Sequence, residues 1–114
     1  MTCEVINVIK IRQGSRENIK FRLSDKNTGE RIDLSQFDAG RVIFKKSGGG
    51  TIEKPLTIPP ADPKLGVIEF TLSSVDTQQF DRDMRDMEIV LDYSGSSDEE
   101  IFTLRDSIEV EERL

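Results

Sequence analysis

From Asn18 to Leu23, within the stretch that opens at Glu17, the chain alternates strictly between polar and apolar residues. Ile19, Phe21 and Leu23 fall on one side of an extended chain; Asn18, Lys20 and Arg22 fall on the other. Period two is the signature of a strand with one buried and one wet face. The stretch Ser24 to Glu30 is polar. Its Asn27 and Gly29 tolerate positive φ, so the chain reverses before Ile32 and Leu34 re-enter the core.

The same signals divide the rest of the chain. Val5 to Arg12 is β-branched and predicts the first strand, with apolar residues on both faces (Val5 beside Ile6, Val8 beside Ile9). That pattern fits a strand covered on both sides within the monomer, or one that meets a partner. Glu17 to Ser24 is the second strand. Ile32 to Phe37 is a short irregular crossing, and Asp38-Ala39-Gly40 reads as a turn. Arg41 to Lys46 predicts a third strand, with Val42 and Phe44 facing one way and Ile43 the other. Ser47-Gly48-Gly49-Gly50 is a hairpin tip. Thr51 to Ile58 is a fourth strand, placed at an edge or broken at Pro55, because proline has no N–H to give a ladder. Pro59, Pro60 and Pro63 exclude regular structure in the linker that follows.

Leu65 to Leu72 is the fifth strand, with Ile68, Phe70 and Leu72 inward. A capped helical turn opens at Ser73 or Ser74, with Val75 and Phe80 as its anchors. Asp81 to Asp86 is a charged corner. Met87 to Tyr93 is the sixth strand, and Gly95 to Asp98 a polar tip. Glu100 to Glu111 is a last, long strand with a bend near Asp106-Ser107; Phe102, Leu104, Ile108 and Val110 form its buried face. About seven strands with turn signals between them predict an all-β, antiparallel sandwich with one short helical turn, a single domain over residues 1–114.

Charge narrows the partners. The net charge is −6, and the 16 basic residues are scattered among 22 acids. A phosphate backbone or an anionic membrane asks for clustered Lys and Arg, so neither nucleic acid nor membrane is expected. The N-terminus shows no secretory signal, and no apolar run approaches the ~18 residues of a membrane helix. Cys3 is the only cysteine and there is no histidine, which excludes an intrachain disulfide and removes the commonest metal ligand and general base.

Candidate chemistry is sparse. The serines (Ser15, Ser24, Ser35, Ser47, Ser94, Ser96, Ser97) sit where turns are predicted and have no histidine partner. Asp81-Arg82-Asp83-Met84-Arg85-Asp86 has the spaced acids of a calcium loop. It has Asp where that loop needs Gly, and reads as a solvated corner with local Asp–Arg pairs. Ser47 to Gly50 follows a strand, as a phosphate loop does, but another strand comes next instead of GKS and a helix. No catalytic, metal or cofactor site is expected.

The order of features carries a resemblance. Asp25, Gly29, Asp33, Leu34 and Ser35, then Val42 and Phe44, then Gly66, Ile68, Phe70 and Leu72 match a pattern of a strand, D-x-(x)-G-x-x-x-D-L-(S/T), a Val-x-Phe strand, and G-x-(V/I)-x-F-x-L before a short helix. In this the chain resembles the immunoglobulin-like N-terminal domain of phage baseplate upper proteins and related tail proteins. Two features depart from that family. The chain reads Arg85-Asp86-Met87 where the family has a Gly-x-Tyr step, and it ends at Leu114 where members commonly extend further.

The resemblance implies an immunoglobulin-like sandwich and a non-enzymatic structural role at a phage or prophage baseplate or fibre attachment. The protein would then be made in the host cytoplasm and reside in the virion tail. Its partners would be other tail proteins and further copies of itself, with no cofactor. The interface candidates are Val5, Ile6, Val8 and Ile9 in the first strand, Pro55 at its edge, and Pro59 and Pro60 in the 59–63 loop. The alternative is a carbohydrate- or cell-surface-binding β-sandwich module, which would present aromatic side chains on a wet face.

Overall fold

The computed structural model describes residues 3–4, 8–25, 27–58 and 61–112. The protein is an all-β sandwich. Its strands are β1 (Cys3–Glu4), β2 (Ile9–Arg12), β3 (Glu17–Arg22), β4 (Ser24–Asp25), β5 (Phe37–Lys45), β6 (Thr51–Leu56), β7 (Val67–Leu72), β8 (Met87–Tyr93), β9 (Glu99–Leu104) and β10 (Ile108–Glu111). One short helix, α1 (Ser74–Gln78), and two 3-10 turns, at Leu34–Gln36 and Pro63–Leu65, complete it.

The main layer is a four-stranded antiparallel sheet in the order β6-β5-β8-β9. Facing it, β3 and β7 form an antiparallel pair whose register places Ile19 opposite Phe70 and Phe21 opposite Ile68. The alternation read in the sequence supplies both inner faces. Val42, Phe44, Ile89, Leu91, Phe102 and Leu104 from one layer meet Ile19, Phe21, Ile68, Phe70 and Leu72 from the other, all buried. Phe44 joins the layers, with its ring 6.1 Å from Phe70 and 4.8 Å from Phe80. Outside, Lys20 lies opposite Glu69, and the Thr71 hydroxyl donates to Asn18 Oδ1 at 2.9 Å.

The residues that carry the family resemblance each have a folding task. Asp25 Oδ1 accepts the Asn27 and Thr28 N–H groups, and Gly29 takes φ 74° to close that turn. Asp33 caps the 3-10 turn through the Ser35 N–H at 2.9 Å, and Leu34 is fully buried behind it. Gly66 has φ 67°, and a Cβ there would lie 2.8 Å from the Leu23 carbonyl oxygen and 2.9 Å from that of Ile32. The same backbone is bonded together: Leu23 N–H donates to Gly66 O (2.8 Å), and Ile32 N–H donates to Leu23 O (3.1 Å).

Several expectations are corrected. Asp38-Ala39-Gly40 is not a turn but the bulged start of β5, with the register shifting between Phe37 and Ala39. Gly40 lies close under its neighbours there: a Cβ would sit 2.7 Å from Leu91 Cδ2 and 3.1 Å from Ile58 Cγ1, so a larger residue would have to push those side chains aside. Val75 does not anchor the helical turn; it is 71% exposed. Phe80 is buried as expected, and Thr77 is the second anchor, fully buried with its hydroxyl donating to Ser15 O at 2.7 Å. Ser24 is a buried strand residue, not a turn former. Pro63 opens a 3-10 turn, for which its fixed φ is suited.

The last strand is bent where expected. Asp106 takes φ 52°, and the Ser107 and Ile108 N–H groups both donate to Arg85 O at 2.8 and 3.0 Å, two residues opposing one as in a β-bulge. The bend sends β10 to pair with β2, Ile108 opposite Ile9 and Val110 opposite Ile11. This pair is parallel, so the sandwich is not wholly antiparallel as the hairpin pattern suggests.

Gly66→Ala is expected to destabilise the fold by about 2 kcal/mol or more, because it adds left-handed strain to a collision with two carbonyls. Urea unfolding followed by circular dichroism measures it, with Gly48→Ala, at a glycine whose Cβ meets nothing within 4 Å, as the control.

Candidate interaction surface

The outward face of the four-stranded sheet is a grid set by register. Along β8 it presents Glu88, Val90 and Asp92. Their partners are Ile43, Arg41 and Ala39 on β5, and Thr103, Ile101 and Glu99 on β9. On β6, Thr51, Glu53 and Pro55 stand opposite Lys45, Ile43 and Arg41. Ile43, Val90 and Ile101 form an apolar diagonal across three strands. Val90 is buried although it points outward, because the Arg41 and Glu99 side chains meet across the central strand at 3.2 Å. Ile101 is 55% exposed.

Two concavities open on this face. A groove of about 540 Å³ lies at the end where β5 leaves and β8 begins. Lys45, Arg85 and Arg105 line it together with Asp83, Asp86, Glu88 and Asp106, over Ile43, Met84 and Met87. A shallower dent of about 390 Å³ lies among Arg41, Glu53, Pro55 and Asp92. Among the described residues, the ion pairs do not include Lys45, Arg85 or Arg105.

The structure separates the interface candidates read from the sequence. Val8 is 52% exposed, while Ile9 is half-buried against the core, so the described part of that strand has one apolar residue outside and one inside. Val5, Ile6, Pro59 and Pro60 lie outside the described residues. Pro55 is on an edge strand, as expected, and blunts that edge. Lys46 N–H donates to Gly50 O at 3.1 Å, so alternation along the β5–β6 ladder makes Arg41 and Pro55 a non-hydrogen-bonded pair. Proline costs this ladder nothing and removes one donor from the open side.

A second device guards the same edge. Lys54 points inward from β6, opposite Val42, and its Nζ lies 2.7 Å from the Asp76 carboxylate of α1. A charge turned inward on an edge strand disfavours pairing with another chain. Asp76 also accepts the Ser73 N–H at 2.8 Å, while Ser73 Oγ accepts the Asp76 N–H at 3.1 Å, a capping box. Burial disfavours the Asp76 charge, but Lys54 and the Ser73 donors outweigh it and hold the carboxyl below its ordinary pKa.

Two acids of the charged corner, Asp81 and Asp86, accept backbone N–H groups. Asp81 accepts the Ser47 hydroxyl at 2.6 Å and the Asp83 N–H at 2.9 Å; the Ser47 hydroxyl is the main cause that lowers its pKa. Asp86 accepts the Asp106 N–H at 2.8 Å. Among the described residues, Arg82 pairs with Glu112 (3.6 Å) and no Asp–Arg pair forms within the corner; the Asp81 and Asp86 carboxylates accept N–H and O–H donors instead. No group of three or more Cys, Asp or Glu among the described residues is placed to hold a metal ion.

All six phenylalanines are buried. Tyr93 packs against Phe37 with centroids 4.8 Å apart and ring planes tilted by 44°, and donates its hydroxyl to Glu100 at 3.0 Å, which raises its pKa. The sequence places Ile43 on the second face of its strand but carries no sign of its position relative to Val90 and Ile101, which depends on register with β8 and β9. Among the described residues no helix is long and apolar enough to cross a membrane. Comparison with protein-family models and with curated proteins finds no match.

Asp76→Asn keeps a capping acceptor but loses the charge opposite Lys54, and is expected to cost about 1 kcal/mol at pH 7. Because the folded pKa is lowered, this contribution is present above the ordinary carboxylate pKa of about 4 and is lost as pH falls through the folded value. The variant should therefore unfold with a flatter acid limb than the parent, read by fluorescence or circular dichroism over acid titration. Pro55→Val restores an outward N–H and is expected to raise light scattering on incubation at 37 °C; an unchanged time course would remove the edge-guarding role.

Proposed function

We propose that the protein is a non-enzymatic structural subunit of a phage or prophage tail, at the baseplate or the fibre attachment, and that it works through protein–protein contacts. The outer face of the four-stranded sheet carries this reading. It offers an exposed apolar residue, Ile101, in register with Val90, together with surrounding charge and two concavities. An apolar anchor set among polar and charged side chains is compatible with a docking face.

The sequence resemblance supplies the tail assignment, and the strand connectivity supports its immunoglobulin-like part. In chain order, β3 and β7 correspond to the second and fifth strands of such a sandwich, and the order β9-β8-β5-β6 corresponds to its G-F-C-C′ sheet. The guarded β6 edge directs partners to the open face. On this reading the protein acts in the virion tail after synthesis in the host cytoplasm.

Electron microscopy of virions from a strain lacking this chain tests the role; intact, normally infective tails would overturn it. Ile101→Asp should lower incorporation into tails at least about tenfold, as expected for an anchor of an interface, with no more than a small change in melting temperature. Quantitative blotting of purified particles reads that loss.

A further inference from the structure

We infer that the outer edge of β9 is a self-pairing surface, on which β9 of a second copy of this chain adds antiparallel, so that one sheet runs through both molecules. The inference deepens the proposed role in protein–protein contacts by naming one partner. It rests on reading Ile101 as an interface residue, but not on the tail assignment.

β9 is the last strand of the four-stranded sheet, and among the described residues no strand pairs with its outer edge. Tyr93 N–H donates to Asp98 O at 3.1 Å. Alternation along the β8–β9 ladder then makes Asp92–Glu99, Val90–Ile101 and Glu88–Thr103 non-hydrogen-bonded pairs. The backbone N–H and C=O groups of Glu99, Ile101 and Thr103 therefore point away from β8, toward the open edge. Such an edge is a template for another strand unless it is guarded. The β6 edge is guarded by Pro55 and the inward Lys54; β9 has neither proline nor lysine. The charge on its inward side, Glu100, is held within the molecule by the Tyr93 hydroxyl at 3.0 Å.

The residues along the edge fit a second copy. Ile101 stands at the centre of the three outward-bonding residues and is more than half exposed. A two-fold axis through Ile101, perpendicular to the sheet, sets the two Ile101 side chains against each other and Glu99 of each copy opposite the partner's Thr103. All the outward N–H groups of each copy then meet outward carbonyls of the other. This is an isologous contact, in which one edge serves both partners. No acid faces an acid across it, and Arg41 draws the Glu99 carboxylate back over Val90 at 3.2 Å. On the outer face Val90, the paired Ile101 side chains and the second Val90 form an apolar row across four strands. Slipping the pairing by two residues either way loses the Ile101 contact and strands one residue's outward groups; in one direction it also sets Glu100 on Glu100.

A single strand pair is small beside the ~800 Å² per partner of a standard interface, so the dimer should be reversible. Each copy carries a net charge of −6, so salt should strengthen the pairing by screening that repulsion.

Sedimentation velocity over a concentration series, at low and high salt, tests the pairing, with folds checked by circular dichroism. The parent should dimerise, and more so in salt. Ile101→Lys sets two ammonium groups against each other at the axis. Thr103→Pro removes an outward N–H that the β8 ladder does not use, as Pro55 does on β6. Each variant should self-associate at least about tenfold more weakly than the parent. Amide hydrogen exchange by NMR locates the contact in the parent itself: the Glu99, Ile101 and Thr103 amides should slow as protein concentration rises. A parent that stays monomeric, a dimer in which those three amides exchange as fast as in dilute protein, or folded variants that dimerise like the parent would each overturn the inference. A monomeric parent whose β9 amides are protected only by a purified tail protein would also overturn it, and would give the edge to that partner. Tails that assemble and infect normally without this chain, with the dimer intact, would overturn the proposed function alone.

Discussion

Three stretches of backbone meet at Gly66 with no room for a side chain. Leu23, at the end of the β3 segment, receives a bond from Ile32 and gives one to Gly66, while the carbonyls of Leu23 and Ile32 close over the Gly66 Cα. This contact fixes where β7 starts against β3. It thereby sets which residues of the pair face inward, since a one-residue slip would turn Phe70 and Ile68 to solvent. It also sends the chain from the small sheet through Leu34 and into β5 of the large one. The second sheet can pack on the first only because this crossing is tied down.

Once the layers are set, the open strands become the problem. The chain deals with β6 twice, by removing an outward donor at Pro55 and by turning the Lys54 charge inward onto Asp76. Asp76 is shared between this pair and the cap of α1, so the short helix and the sheet edge are held by one carboxylate. At the other side, the bulge at Asp106 diverts the last strand from β8 to β2, which gives the first strand a parallel partner. Each device spends local regularity to keep strands from pairing with foreign chains.

The outer sheet face follows from these solutions. With the β6 edge guarded, the remaining broad surface is one where side chains, and not backbone groups, meet a partner. Its apolar residues Ile43, Val90 and Ile101 come from three strands that are remote in sequence. Arg41 and Glu99, 58 residues apart, cover Val90 and leave Ile101 uncovered. A surface of this kind selects by register and charge, with modest affinity from any one contact.

The sequence by itself determined the class of the fold and most of its inward faces. Alternation in Glu17 to Leu23, Val67 to Leu72 and Met87 to Tyr93 identifies core residues because strand geometry is local and has period two. It also determined the helical turn through Ser73 and Asp76, and the bend near Asp106, since caps and left-handed positions leave local chemical marks. Only the tertiary structure decided the rest. Gly40 looks like a turn former but is a strand residue beneath Leu91; Val75 looks like an anchor but faces water, while Thr77 is buried. The parallel pairing of β2 with β10 and the Ile43–Val90–Ile101 diagonal have no signature along the chain. They depend on register between distant strands, which the whole core sets and no single segment encodes.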